Sequence, residues 1–158
     1  MNLYIKQHVF TWGDKFSVYD PSGSEKYYVE SEIFTFGKKL HVYDLAGMEV
    51  AYIEQKVFSF LPRYYVFKQG RQVATVVKEF TLFKHEYTVE GFGWCVHGDF
   101  FDHEYELTDC TGTVASVSKE WFTFGDAYEI CIRDDADEVG ALAVCLVIDA
   151  CIEAERNS

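Results

Sequence analysis

The sequence predicts an all-β fold with one helix: a closed antiparallel barrel of about twelve strands around a central hydrophobic helix formed by the last part of the chain. Two patterns support this prediction. Short aromatic phrases recur at nearly constant spacing through residues 9–126, and a segment without a polar face follows them. The composition agrees, because 18% of the residues are aromatic and only two are proline, which favours paired strands over disorder.

The recurring phrase has the form Phe-Thr-Phe-Gly and divides the chain into hairpin-sized repeats. Each of the first three copies is followed by a short alternating run, such as Leu-His-Val-Tyr after the second copy, which is typical of a half-buried strand. The copies are 24, 24, 23 and 41 residues apart, and they begin at Val9, Ile33, Val57, Phe80 and Trp121. The longer last interval leaves room for additional strands.

Turn signals separate the alternating runs. Residues 20–23, 44–47 and 109–112 have the form Asp-x-x-Gly, and residues 68–71 place Gly70 in a further turn. An Asp that opens such a turn accepts backbone hydrogen bonds, and a Gly that closes it tolerates positive φ. Turns of this kind join antiparallel strands. Strands are therefore expected at residues 3–12, 15–19, 26–36, 39–43, 48–58, 63–68, 71–82, 85–90, 93–98, 104–108, 113–122 and 127–132.

The last segment predicts a buried helix over about residues 135–153. The acidic cluster at residues 134–138 favours a helix start, where carboxylates meet unpaired N–H groups. Residues 139–148 are apolar on every side of a helix, so that helix must be buried all round. Even extended to Ile152 the apolar stretch spans only about 21 Å, whereas a bilayer core needs about 30 Å. We therefore expect a core helix rather than a membrane span.

The strands and the helix fit each other. A meander of twelve strands leaves two unpaired edges unless it closes into a barrel. A barrel of that size is too wide for its own side chains to fill, and a helix about 10 Å across would occupy the space. The small residues Gly140, Ala141 and Ala143 suit such a narrow sleeve.

The charge of the chain is unevenly distributed and argues against a general nucleic-acid binder. The formal net charge is −12, opposite in sign to what phosphate backbones attract. Residues 1–79 hold ten Lys and Arg against nine Asp and Glu, whereas residues 80–158 hold four against seventeen. Any face that binds an anion is therefore expected before about residue 85.

The cysteines and the first residues predict a cytoplasmic protein. The five cysteines are odd in number and no two have CxxC spacing, which disfavours both a disulfide framework and a zinc finger. Lys6, Gln7 and His8 interrupt the first apolar stretch, so no signal peptide is expected.

The order of these elements, together with the Phe-Thr-Phe-Gly and Asp-x-x-Gly phrases, resembles the LURP-one-related family. That family belongs to the tubby C-terminal-domain-like group, with the phospholipid scramblases as further relatives. The resemblance runs from the phrase Phe-Thr-Trp-Gly-Asp at residues 10–14 through the helix at residues 138–155, and it implies one tubby-like, LURP-one-related domain over residues 1–158. Tubby domains bind phosphoinositide headgroups through exterior Lys and Arg, but the LURP-one-related resemblance implies no defined biochemical activity.

Basic residues form the first candidate site. Between Lys56 and Lys78 the chain has five basic residues and no acidic one. Such side chains hold phosphate groups as charge-assisted donors, although exterior strands also carry solvated lysines without a ligand. The candidate residues for a phosphate or phospholipid headgroup are Lys56, Arg63, Lys68, Arg71, Lys78 and Lys84.

A metal site is a weaker candidate and is not predicted. Cys95, His97 and Asp99 alternate, so they would share one face of a strand, and His103 follows them. These are residue types that bind zinc, but their spacing matches no known metal motif. A polar barrel exterior beside a packed thiol explains the pattern without a metal. The sequence indicates no cofactor.

Asp149 interrupts the apolar helix and has two interpretations. A buried carboxylate is costly unless it is hydrogen-bonded, so it could mark a gate or a proton site. The preferred interpretation is that the helix leaves the barrel there and places Asp149 at the edge.

The sequence predicts a protein that is not an enzyme. Ser22, Ser24, Ser116 and Ser118 lie outside any G-x-S-x-G elbow, and no phosphate-binding glycine loop is present. A Cys/His dyad stays open, because such partners meet only in the fold. The leading hypothesis is an intracellular binding module that contacts an unknown protein partner or a membrane surface through the barrel exterior. The alternatives are anionic phospholipid binding at the basic stretch and scramblase-like action with a released helix.

Overall fold

The computed structural model describes residues 1–6, 15–32, 36–80, 86–122 and 125–156. Within these ranges twelve antiparallel strands precede one helix, α1 (Glu138–Arg156). The strands are β1 (Asn2–Lys6), β2 (Lys15–Tyr19), β3 (Glu25–Ser31), β4 (Lys39–Asp44), β5 (Glu49–Gln55), β6 (Arg63–Lys68), β7 (Arg71–Glu79), β8 (Glu86–Glu90), β9 (Trp94–Asp99), β10 (Glu104–Asp109), β11 (Gly112–Phe122) and β12 (Gly125–Ile132).

The strands form a closed barrel, which confirms the predicted fold. Each strand pairs with its neighbours in the sequence, and β1 pairs with β12 to close the ring, with Leu3 opposite Ile130. Inward positions are apolar and alternate with outward ones: Tyr64 and Val66 of β6 are buried between less buried neighbours. Closure leaves no unpaired edge in the sheet.

The Asp-x-x-Gly turns have the geometry that the sequence predicts. The Asp20 carboxylate accepts hydrogen bonds from the backbone N–H groups of Ser22 and Ser24, at 2.9 and 3.0 Å. Asp44 accepts from Ala46 and Met48 in the same way, both at 2.9 Å. Each of these short loops therefore satisfies its own backbone donors and fixes the register of the hairpin it closes.

The helix begins at an acidic cap and runs through the barrel core. The Asp137 carboxylate accepts the N–H of Gly140 at 2.9 Å, as an N-cap residue does. Residues 141–148 are completely buried and belong to the same core as the inward residues of the strands. A Cβ added at Gly140 would lie 2.7 Å from a carboxylate oxygen of Asp137 and 2.9 Å from the Phe92 ring, so any larger residue would displace these side chains.

The predicted boundaries are close to the observed ones. Strands 15–19 and 63–68 are as predicted, whereas α1 begins at Glu138 rather than about 135 and extends to Arg156 rather than about 153. Parts of the strands predicted at 3–12, 26–36, 71–82 and 85–90 lie outside the described residues. No helix in the described part of the chain is both long and apolar enough to cross a bilayer.

Candidate functional site

The helix gives the barrel two distinguishable ends. At the amino end, where α1 begins, Lys26 of β3 forms an ion pair with Glu138, their charged atoms 2.8 Å apart. At the carboxyl end, Arg156 donates a hydrogen bond to the carbonyl oxygen of Phe101 at 3.4 Å. The described residues that follow β3, β5, β7 and β9 lie at the carboxyl end, and the turns that follow β2, β4, β6, β8 and β10 lie at the amino end.

The exposed phenylalanines of the described residues all lie at the carboxyl end. They belong to four different loops, and their exposure is far above that of the strand residues. At the amino end the large exposed apolar side chains are aliphatic, as in Leu45 and Met48. We call this set the aromatic rim: Phe36 (71% exposed), Phe58 (89%), Phe60 (97%), Phe80 (72%) and Phe101 (42%).

Two hydrogen bonds between Lys38 and Gln55 hold two loops of the aromatic rim together. Lys38 N–H donates to the Gln55 side-chain oxygen at 3.0 Å, and Gln55 N–H donates to the Lys38 carbonyl at 2.9 Å. Gly37 has φ +86°, and a Cβ there would lie 2.8 Å from a methyl group of Val57. The loops therefore approach as closely as a glycine permits.

Phe58 is held in a strained conformation that exposes its ring. Its φ is +59°, in the left-handed region that bulky residues rarely adopt. Such a residue costs about 1–3 kcal/mol and persists only where its surroundings impose it. The ring packs only partly, with its centroid 5.4 Å from that of Phe36. Phe58 therefore combines an unfavourable backbone conformation with an apolar ring that is exposed to solvent.

Lys38 anchors the Phe36 loop to the helix. Its side chain is buried at the carboxyl end. Burial lowers the pKa of Lys38, and the nearby Glu153 carboxylate opposes that shift. The Lys38 side chain, two residues after Phe36, therefore lies inside the carboxyl end of the barrel, close to the last turns of α1.

The predicted basic residues are divided between the two ends. Lys56 and Arg63 lie at the carboxyl end, with Lys56 N–H donating to the Arg63 carbonyl at 2.8 Å. Lys78 lies at the same end and forms an ion pair with Glu155. Lys68 and Arg71 flank the β6–β7 turn at the amino end, where Lys68 pairs with Asp137. Lys84 lies outside the described residues.

The weak metal candidates are likewise divided. Cys95, His97 and Asp99 share the exposed outer face of β9, as the alternation predicts, so the interpretation of Cys95 as a packed thiol is wrong. His103 instead is buried in the following turn, with φ +53°. Among the described residues, no three His, Cys, Asp or Glu side chains are arranged to hold a metal ion.

Asp149 does not lie where the helix leaves the barrel, so the preferred expectation for it is wrong. Its side chain is only 10% exposed, and α1 continues for seven residues beyond it. Tyr128 donates its hydroxyl hydrogen to one carboxylate oxygen, and Nε2 of His103 lies 3.3 Å from the other. The His103 ring stacks on that of Tyr128 with centroids 4.5 Å apart. The buried carboxylate is tolerated because these groups solvate it.

The buried thiols are poor nucleophiles. Burial raises the pKa of Cys145 and raises that of Cys151 to about 12. The Cys145 thiol faces Tyr105, and the Cys151 thiol faces Tyr87. Both thiols are therefore protonated at neutral pH, whereas a catalytic thiol has a lowered pKa.

The family follows from the comparison with known proteins. A model of the family described as LURP-one-related matches residues 1–149. The chain belongs to that family.

One curated protein matches this LURP-one-related chain over most of its length, and one solved structure has a similar fold. It is 35% identical over 149 residues to the uncharacterized protein YxjI of Bacillus subtilis (strain 168), which covers 94% of this chain and 92% of the relative. The X-ray structure of protein AT5G01750 from Arabidopsis thaliana is similar with a TM-score of 0.70 and 16% identity, over 95% of this chain and 90% of that one. At that identity the likeness shows the fold alone.

The aromatic rim of this LURP-one-related chain was missed by the sequence reasoning, although a signal existed. The phrases that contain Phe36, Phe58 and Phe80 recur about every 24 residues, which is the length of one hairpin with its loops. A period of two strands returns each phrase to the same end of a barrel. Each phrase taken alone predicts a strand, and only the comparison of all the repeats places their phenylalanines at one end.

Proposed function

We propose that this LURP-one-related chain is a non-enzymatic binding module whose contact surface is the aromatic rim. The observation that carries the proposal is the segregation of exposed phenylalanines to one end of the barrel. Water exposure of five aromatic side chains is unfavourable, and exposed apolar side chains concentrated on one part of a surface commonly mark an interaction site.

The backbone supports the same conclusion. Phe58 is kept exposed by a conformation that is itself unfavourable, and strain of this kind is concentrated at binding sites. The loops are fixed by the mutual hydrogen bonds of Lys38 and Gln55. A contact surface that is ordered before binding loses less conformational entropy when the partner arrives.

Two further features support a non-enzymatic role in a reducing compartment. The buried cysteines have raised pKa values, as described for Cys145 and Cys151. All five cysteines are free thiols. Free thiols of this number suit the cytoplasm better than an oxidising compartment.

Release of the helix, as in the scramblase-like alternative, has less support. Ion pairs hold α1 at both ends, through Glu138 at its start and Glu155 near its close. Its removal would also expose the inward apolar residues of twelve strands to water.

A photo-crosslinking experiment in cells tests the contact surface without assuming the partner. Phe58→p-benzoylphenylalanine places a benzophenone on the aromatic rim, and Met48→p-benzoylphenylalanine places it at the opposite end, at a comparably exposed residue. The proposal expects a crosslinked product from position 58, reduced by the added change Phe60→Ser, and little from position 48. Equal yields from the two positions, or none from position 58, would overturn it.

A further inference from the structure

We propose that the partner of the aromatic rim is the interfacial zone of an anionic phospholipid membrane, entered by the loops that carry Phe36, Phe58 and Phe60. This inference rests on the proposed function and names the partner of the same surface. The chain would then bind peripherally, with its loop tips among the headgroups and the barrel above them.

The form of the aromatic rim favours a fluid partner. Phe58 and Phe60 are 89% and 97% exposed, so they stand clear of the barrel rather than lining a groove. Phe36 comes from a different loop. Rings that protrude from two loops find few matched pockets on a rigid protein, whereas a lipid interface adapts to their shape. Aromatic and apolar side chains beside Lys and Arg are the composition of interfacial membrane contacts.

Two cations flank the Phe58–Phe60 loop and add charge complementarity. Lys56 precedes the loop and Arg63 follows it, and residues 57–62 contain no acidic side chain. Within the described part of the chain neither cation has an ion-pair partner, so both remain available to phosphate oxygens. Basic residues next to a membrane surface are attracted to anionic lipids.

The charge of the whole barrel orients it with respect to such a surface. Strands β1–β7 lie in the nearly neutral part of the sequence, whereas β8–β12 and α1 lie in residues 80–158, which hold seventeen of the 26 acidic residues. These groups form two contiguous arcs of the closed ring. An anionic membrane repels the acidic arc, so the arc that carries Lys56 and Arg63 faces the lipid despite the net charge of −12.

The same asymmetry places Phe101 away from the contact. Phe101 is the least exposed member of the aromatic rim, and Asp99, Asp102 and Glu104 surround it in the sequence. Those carboxylates would be repelled by anionic headgroups. The inference therefore assigns insertion to Phe36, Phe58 and Phe60 and not to Phe101.

Vesicle co-sedimentation of the full chain tests the inference with matched variants. The probes are vesicles of phosphatidylcholine alone and of an equal mixture of phosphatidylcholine and phosphatidylserine. F58S/F60S should lower partitioning to the mixed vesicles at least about tenfold. The control L45S/M48S, which removes exposed apolar side chains at the opposite end, should leave it unchanged. Thermal unfolding of each variant shows that the barrel is intact.

The charge arm uses a second matched pair. K56A/R63A should weaken binding to the mixed vesicles by about thirtyfold at low salt, because each of the two cations near the surface contributes about 1 kcal/mol. R71A, at the amino end, should have no effect. Raising the ionic strength from about 0.01 to about 0.15 M shortens the Debye length from about 30 to about 8 Å and should remove most of the difference.

Three results would overturn the inference: no sedimentation of the native chain at low salt, equal losses in F58S/F60S and L45S/M48S, or binding that depends on Lys56 and Arg63 while F58S/F60S behaves as native. These failures are separable from failure of the proposed function. A benzophenone at position 58 that crosslinks to a protein, with no vesicle binding, overturns the membrane partner and leaves the contact surface in place.

Discussion

At the scale of single residues, the group formed by Tyr128, Asp149 and His103 shows how an apolar interior accommodates one carboxylate. The Tyr128 hydroxyl hydrogen satisfies one oxygen, and the imidazole of His103 approaches the other. Burial, followed by the neighbouring Asp149 charge, raises the pKa of Tyr128, so the phenol stays protonated and remains a donor. The hydrogen bond from this hydroxyl therefore contributes more to the stability of the fold than the same bond on the surface would.

Removal of this donor gives a residue-scale prediction. Tyr128→Phe keeps the ring and its stacking on His103 but leaves a buried carboxylate oxygen without its donor. We expect the free energy of unfolding to fall by about 1–3 kcal/mol, measured by urea denaturation at neutral pH.

The matched control is Tyr4→Phe on the outer wall. The Tyr4 hydroxyl donates to Glu129 at 3.1 Å in a partly exposed setting, where water can replace it. If Tyr128→Phe lowers the free energy of unfolding by no more than Tyr4→Phe does, the interior hydrogen bond contributes no more to stability than one on the outer wall.

At the scale of elements, α1 is the core that the strands enclose. Leu142, Leu146 and Ile148 are completely buried, so each contacts the inward face of the barrel. A helix confined on all sides has little room to relax around a vacancy, because protein interiors are close-packed.

Truncation inside the helix gives an element-scale prediction. Leu146→Ala should lower the free energy of unfolding by about 2–5 kcal/mol through lost contacts and a residual cavity. Leu45→Ala is the control, since Leu45 is 64% exposed at a turn, and a change within about 0.5 kcal/mol is expected. Chemical denaturation monitored by circular dichroism measures both. Similar small changes would contradict the enclosed position of the helix.

The elements also show why sequence reasoning succeeded with the fold. Strands such as β2 and β6 are alternating runs bounded by Asp-Gly or Gly turns, so local patterns determine both their extent and their pairing with neighbours. The start of α1 was placed slightly early because residues 134–138 include four carboxylates, and only hydrogen bonding identifies Asp137 as the cap.

The candidate site was less accessible to the same reasoning. Lys56 and Lys68 are twelve residues apart, which is half of the repeat. Strand β6 separates them, so they lie at opposite ends of the barrel. The partners of Asp149 come from the β9–β10 turn and from β12, and no local pattern indicates that contact. Exposure of Phe58 depends on a backbone conformation that sequence propensity does not favour.

At the scale of the whole molecule, buried tyrosines link stability to alkaline pH. Burial is the main cause that raises the pKa values of Tyr64, Tyr87, Tyr105 and Tyr128 in the folded barrel. An unfolded tyrosine ionises near pH 10. Below that pH the contribution to stability is fully present. Above it the unfolded chain loses protons that the folded chain retains, so stability falls as pH rises.

We therefore expect alkaline destabilisation that begins at about pH 10. Each of these tyrosines can contribute a slope of up to about 1.4 kcal/mol per pH unit. Urea denaturation at a series of pH values from neutral to strongly alkaline measures the slope. Tyr64→Phe should reduce the slope by the contribution of one tyrosine. A free energy of unfolding that stays constant well above pH 10 would contradict the burial of these phenols.

The pairing of β1 with β12 has a consequence for how the molecule is made. The Asn2 side chain donates to Glu129 across 127 positions of the chain, and α1 follows the strand that completes the ring. During synthesis on a ribosome, the early hairpins therefore keep one apolar face exposed until β12 and α1 have been translated. Contacts between such distant partners slow folding, and waiting intermediates aggregate. Newly made chains are expected to need chaperone protection until α1 has been translated.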